Sequence, residues 1–180
     1  MPRILLLALT FCLWPSRLAP GEVARYEASH DAMGTVFTVV AYGADTRHLA
    51  AVVNEAFEEI DRIDAQMSNY KPESELSAIN RNAASRSVLV EPRFFRLLQD
   101  SLRYSEETGG AFDITVGPLM RAWGFFRGQG RLPEKSEEAN VLVKIGFRHV
   151  ILDPATRTVR FDKVGIELDL GGIAKGYALD

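Results

Sequence analysis

Between Thr46 and Met67 the apolar residues Leu49, Val52, Val53, Ala56, Phe57, Ile60 and Ile63 recur at intervals of three and four. Glu55, Glu58, Glu59, Asp61 and Arg62 fall between them. This spacing fits a helix of 3.6 residues per turn and not a strand, whose side chains alternate every second residue. A long helix with one apolar stripe has to bury that stripe against another layer. Upstream, residues 24–30 and 35–42 read as two strands joined by a turn over residues 31–34, with Val36, Thr38 and Val40 on one face and Phe37, Val39 and Ala41 on the other.

Downstream, Ser74 is a candidate N-cap for a short helix over residues 74–80 with Leu76 and Ile79 inward. Pro92 suits the first turn of another helix, with Phe95, Leu98, Leu102 and Tyr104 as its buried side and Gly109-Gly110 as its stop. Further helices are expected over residues 118–126 and 136–145, then a hairpin of residues 149–152 and 158–161 around residues 153–157. A strand over residues 166–170 leads into a last helix from about residue 172. Strands in antiparallel groups separated by runs of helix argue for an α+β fold rather than a doubly wound parallel sheet.

A chain of 180 residues that is 47% hydrophobic is large enough to bury one core. Its net charge of −3, with acids and bases interspersed, provides no basic stripe for nucleic acid. Residues 1–23 read as an export leader plus linker, with a charged start and an apolar run too short for a standard membrane span, and residues 24–180 as the folded portion. Cys12, the sole cysteine, is either lost with the leader or a lipidated anchor. A lone cysteine rules out an internal disulfide and a thiolate zinc site. His30, His48 and His149 lack the paired spacing of a histidine metal site.

Three loops stand out chemically. In residues 168–180 the pair Gly171-Gly172 follows a strand-like run and Lys175 lies one turn into the next helix, an arrangement that suits either an anion cradle or a packed glycine turn. Asp169, at the end of an apolar run, needs hydrogen-bond donors from backbone amides or from a ligand. Lys175 fits either a phosphate contact or a solvated helix face. In residues 109–118, Phe112 and Asp113 lie between glycines, and Asp113 fits either a helix cap or a ligand contact. Tyr70, in the polar loop after Met67, offers a flat ring for stacking or for packing on its own domain.

Met33-Gly-Thr, Met67-Ser-Asn-Tyr-Lys-Pro-Glu-Ser-Glu-Leu-Ser-Ala-Ile-Asn80, Gly110-Ala-Phe-Asp-Ile-Thr-Val-Gly-Pro-Leu119 with Trp123-Gly-Phe125, and Asp169-Leu-Gly-Gly-Ile-Ala-Lys-Gly-Tyr-Ala-Leu-Asp180 together resemble the ApbE family of flavin transferases. The resemblance implies a T-fold-related α+β architecture of antiparallel sheets packed with helices. It also implies an FAD:protein FMN transferase: FAD binds, its pyrophosphate is split with Mg2+, FMN is joined through its phosphate to a Thr or Ser of an acceptor flavoprotein, and AMP leaves. On that basis Met33, Tyr70, Ala111, Phe112, Asp113, Asp169 and Lys175 contact FAD, and the Gly172 carbonyl reaches the metal. The family places its acidic metal ligands and general base beyond the position of Asp180, so the 180-residue chain alone is expected to be inactive. A non-catalytic FAD-binding or scavenging protein is the alternative. The family and the leader together imply an exported protein at the periplasmic face of the membrane, with lipid anchoring as one form.

Overall fold

A computed structural model describes residues 23–180 of the protein, so the leader reading and Cys12 lie outside the described residues. The described chain is α+β. Strands β1 (Ala24–Ala32) and β2 (Thr35–Gly43) form an antiparallel hairpin in which Ala24 faces Gly43 and Ala32 faces Thr35. The helices α1 (Thr46–Met67) and α2 (Glu75–Asn82) follow, then the two-residue strand β3 (Val88–Leu89) and helix α3 (Pro92–Glu107). Next come α4 (Gly117–Ala122), a 3-10 turn at Phe125–Arg127, α5 (Lys135–Leu142) and a second 3-10 turn at Phe147–His149. Strands β4 (Val150–Asp153) and β5 (Thr158–Phe161) and the short helix α6 (Ala174–Tyr177) complete the order. The second sheet is antiparallel throughout, in the order β3-β5-β4.

Local chemistry accounts for the helix boundaries. Asp45 caps α1 by accepting from the Arg47 amide at 2.9 Å, and Ser74 caps α2 by accepting from the Ser77 amide at 3.0 Å. Pro92 opens α3, and Gly109 and Gly110, both at positive φ, end it. The periodic helix keeps its bounds, but its buried stripe is Leu49, Val53, Phe57, Ile60, Ile63 and Met67. Val52 and Ala56 face outward, because the hairpin covers a narrower arc than the apolar residues span. Tyr104 is likewise exposed, and Ser101 and Ser105 take the buried positions on α3, each satisfying its hydroxyl on a carbonyl one turn back.

Two hydrophobic clusters result. The larger joins the end of α1, α2, α3, the three-stranded sheet and residues 166–170; the smaller lies between the hairpin and α1 around Phe37, Val53, Phe57 and Ile60. Met33 packs against both.

Residues 166–170 do not form the expected strand. They run extended beside residues 114–117 through a single parallel bridge, Val116 with Glu167, plus the bonds Asp169 N to Ile114 O (2.7 Å) and Gly117 N to Glu167 O (3.1 Å). Gly117 permits this approach, since a Cβ there would lie 2.5 Å from the Glu167 carbonyl oxygen. The expected helix over residues 118–126 stops at Ala122, where Gly124 turns left-handed at φ 75°.

Candidate functional site

A cleft of about 690 Å³ opens where the hairpin tip, the loop after α1, α4 and the glycine turn before α6 converge. This volume falls inside the about 300–1,000 Å³ usual for small-molecule sites. The hairpin tip is the two-residue turn Met33-Gly34, with φ 50° and 68°. Such mirror-image turns match strand twist but favour Asn-Gly, so a methionine held left-handed costs on the order of 1 kcal/mol. Its packing against both clusters holds it there.

The second wall is the loop over residues 68–73, which serines tie down. Ser74 Oγ donates to the Ser68 carbonyl at 2.6 Å, and Ser77 Oγ donates to the Lys71 carbonyl at 2.9 Å. Lys71 pairs with Asp64 at 2.7 Å, and both residues line the cleft. Tyr70 is 65% exposed and meets Phe126 edge-on, with centroids 5.5 Å apart and planes at 76°. Phe126 is covered in turn by the Arg121 guanidinium at 4.9 Å. Arg121 pairs with Glu167, and that hydrogen bond raises its pKa above the ordinary guanidinium value.

The third wall is the turn at residues 169–172. Asp169 Oδ1 accepts from the Gly171 amide at 2.9 Å, and Oδ2 accepts from Asn69 Nδ2 at 3.0 Å. Asp169 therefore uses the backbone-amide option, and the Gly171 N–H is consumed within the turn rather than left bare for an anion. Lys175 is exposed, lines the same cleft, and has no carboxylate partner among the described residues. Gly172 lines the cleft too, and a Cβ on it would sit 3.5 Å from the Phe112 ring.

Met33, Tyr70, Asp169, Gly172 and Lys175 are thus brought together, whereas Ala111, Phe112 and Asp113 lie outside the lining. Phe112 packs edge-on with Tyr104 at 6.4 Å and approaches the cleft beneath Gly172. Asp113 is not the cap of α4, whose N-cap is Val116. Its Oδ1 accepts from the amide and hydroxyl of Thr115, both at 2.7 Å, and its Oδ2 accepts from the Phe147 amide at 2.9 Å. Together with Thr115 Oγ1, which accepts from the Gly146 amide at 2.7 Å, it fastens the loop to the turn before β4.

Asn69, Asn80, Asp64 and Lys71 escaped the sequence reading as site residues, although all but Asp64 lie in the block 67–80. The available signal was the alternating stretch 166–170, whose backbone groups need partners from side chains or from another segment.

Magnesium prefers about six oxygen ligands. Among the described residues no group of three or more His, Cys, Asp or Glu side chains could hold a metal ion.

Comparison with known proteins identifies the family. The ApbE family model matches residues 33–180. The chain is 30% identical to an FAD:protein FMN transferase of Treponema pallidum, over 99% of this chain and 51% of that protein. It is 32% identical to an FAD:protein FMN transferase of Haemophilus influenzae, over 82% of this chain and 45% of that one. Among solved structures, the ApbE protein of Thermotoga maritima superposes with a TM-score of 0.80 at 32% identity, over 87% of this chain and 50% of that chain. The chain spans about half the length of the curated relatives it matches. With the family match running from the hairpin tip through the glycine turn, every wall of the cleft falls inside it, and the chain belongs to the ApbE family.

Proposed function

We propose that the protein is an FAD:protein FMN transferase, or the part of one that carries its flavin-nucleotide cleft. The reaction splits the FAD pyrophosphate, joins FMN through its phosphate to a Thr or Ser hydroxyl of an acceptor flavoprotein, and releases AMP. The observation that carries this reading is the convergence of Met33, Tyr70, Asp169 and Lys175 on one cleft, in a chain whose relatives bear that name.

In this reading the exposed Tyr70 ring lies against the flavin nucleotide and the Met33 thioether closes the hairpin side. Lys175 neutralises phosphate charge as AMP departs, an electrostatic contribution from a group already in place. Ala111, Phe112 and Asp113 act from behind the glycine turn, where the Phe112 ring leaves little room for a side chain at residue 172 and Asp113 fastens the loop through Thr115 and Phe147. Most of the rate then comes from positioning the two reacting partners. Magnesium would supply further charge neutralisation, and the Gly172 carbonyl is one ligand proposed for it. The leader and the family together favour export, with the enzyme acting at the periplasmic face of the membrane. Among the described residues no helix is long and apolar enough to cross a membrane.

The test is to incubate the full-length protein with FAD, magnesium and a Thr-bearing acceptor, with a chelator control, and to weigh the acceptor by mass spectrometry. An FMN-sized adduct with release of AMP is expected. An unmodified acceptor, with FAD bound but intact, would instead support a scavenging protein.

A further inference from the structure

We propose that Asn69 and Asn80 form a positioning latch that sets the separation of the Tyr70 loop from the Asp169 turn and aims the Asp169 carboxylate into the cleft. The proposal rests on the flavin-nucleotide reading of that cleft. Its geometric basis is a chain of side-chain amides that pair with the backbone of Leu168. Asn80 Oδ1 accepts from the Leu168 amide at 2.8 Å, while its Nδ2 donates to the Leu168 carbonyl at 2.9 Å. One side chain thus pairs both backbone groups of one residue, as a neighbouring strand would. The same Nδ2 donates to Asn69 Oδ1 at 3.0 Å. Asn69 Nδ2 then donates to the Leu168 carbonyl at 2.9 Å and to Asp169 Oδ2 at 3.0 Å.

The consequences follow from connectivity. Asn69 precedes Tyr70 directly, and Leu168 precedes Asp169, so the bonds join two walls of the cleft at the residues beside their ligand-facing groups. Asp169 Oδ1 is fixed by the Gly171 amide, and Asn69 supplies the donor that fixes Oδ2. With both oxygens held, the carboxylate cannot rotate freely, and a ring entering between Tyr70 and Asp169 meets walls that are already spaced. Preorganisation of this kind raises affinity by removing ordering costs from the binding step. Asparagine is required at both positions because each must donate and accept at once.

The experiment compares the full-length protein with its Asn69→Ala, Asn69→Asp and Asn80→Ala variants, at a temperature where all are folded. FAD affinity and saturating quench are read by flavin fluorescence, and amide hydrogen exchange is read at Leu168 and Gly171. Exchange at those amides is expected to accelerate locally in the Ala variants while the α3 core stays protected. FAD affinity is expected to fall about tenfold or more. The near-isosteric Asn69→Asp should be the worst, since it loses the donor and sets a second carboxylate beside Asp169. A changed quench at saturation would show a displaced ring, which simple loss of stability does not produce. Variants that melt earlier but bind FAD with unchanged affinity and quench would overturn the latch, as would an Asn69→Asp variant that binds better than Asn69→Ala. Absence of quenching in the unaltered protein would instead bring down the flavin reading itself.

Discussion

Lys71 and Lys175 both reach the cleft, but in different states. Lys71 is already paired with Asp64 at 2.7 Å, whereas Lys175 has no carboxylate partner among the described residues. An incoming diphosphate has to compete with Asp64 for the first and meets no such competition for the second. Lys175→Ala is therefore expected to weaken FAD binding by about tenfold, the usual scale of a hydrogen bond to a charged group. It should also flatten the salt dependence of binding, because a partly exposed charge pair is screened as ionic strength rises. Lys175→Arg should retain most of the affinity, and Lys71→Ala should cost less. Fluorescence titration at low and high salt measures all of these, and equal affinity for Lys175→Ala and the unaltered protein would remove Lys175 from the site.

At the scale of elements, α3 illustrates how a polar terminus contributes to a buried helix. Glu91 Oε2 accepts from the amides of Arg93 and Phe94, both at 2.9 Å, while its own amide donates to Glu75 Oε1 on α2 at 2.7 Å. Burial pushes the Glu91 carboxyl upward, but the Phe94 and Arg93 amides, together with Gln66 and the Arg62 charge, outweigh it and hold its pKa below the ordinary 4.5. A depressed carboxylate stabilises the fold above its unfolded pKa, and that contribution is lost as pH falls through the lower folded value. Glu91→Ala should therefore lower unfolding free energy by about 1 kcal/mol at neutral pH. The difference from the unaltered protein should shrink as pH falls below the ordinary 4.5, as denaturant titrations across pH would show.

The elements legible in the sequence were those whose pattern is local. The spacing of α1 gave its bounds, and Ser74 and Pro92 marked the starts of their helices. Residues 166–170 were misread because apolar alternation reports burial, not which group pairs with the backbone; here the partners are Asn80 and a short stretch of residues 114–117. The strand β3 was missed because two residues carry no period at all. Asp113 shows the same limit for sites: its neighbours in sequence suggested a cap or a ligand, and while Oδ1 does bond locally to Thr115, Oδ2 is taken by the Phe147 amide in a turn 34 residues away. Tyr70, Asp169 and Lys175 were found through their blocks, but only the fold shows that they share a cleft.

For the molecule as a whole, a cleft walled by distant segments couples binding to folding. A ligand that occupies it only in the folded state adds about 2.7 kcal/mol of stability at about a hundredfold excess over Kd. FAD should therefore raise the melting temperature by on the order of 5–10 °C, and no shift at saturating FAD would count against the cleft as its site. The asparagine bonds carry a consequence for biosynthesis as well. Asn80 and Leu168 are 88 residues apart, and Asn69 and Asp169 are 100 apart. Closing so long a loop is cheap, since each doubling of length adds only about 0.6 kcal/mol, but it cannot begin until both ends exist. On the ribosome, α1, α2 and α3 emerge with their amides hydrated long before residue 168 is made. A chain that stops ahead of that residue lacks one wall of the cleft, so competence to take up ligand itself reports that the glycine turn has been made.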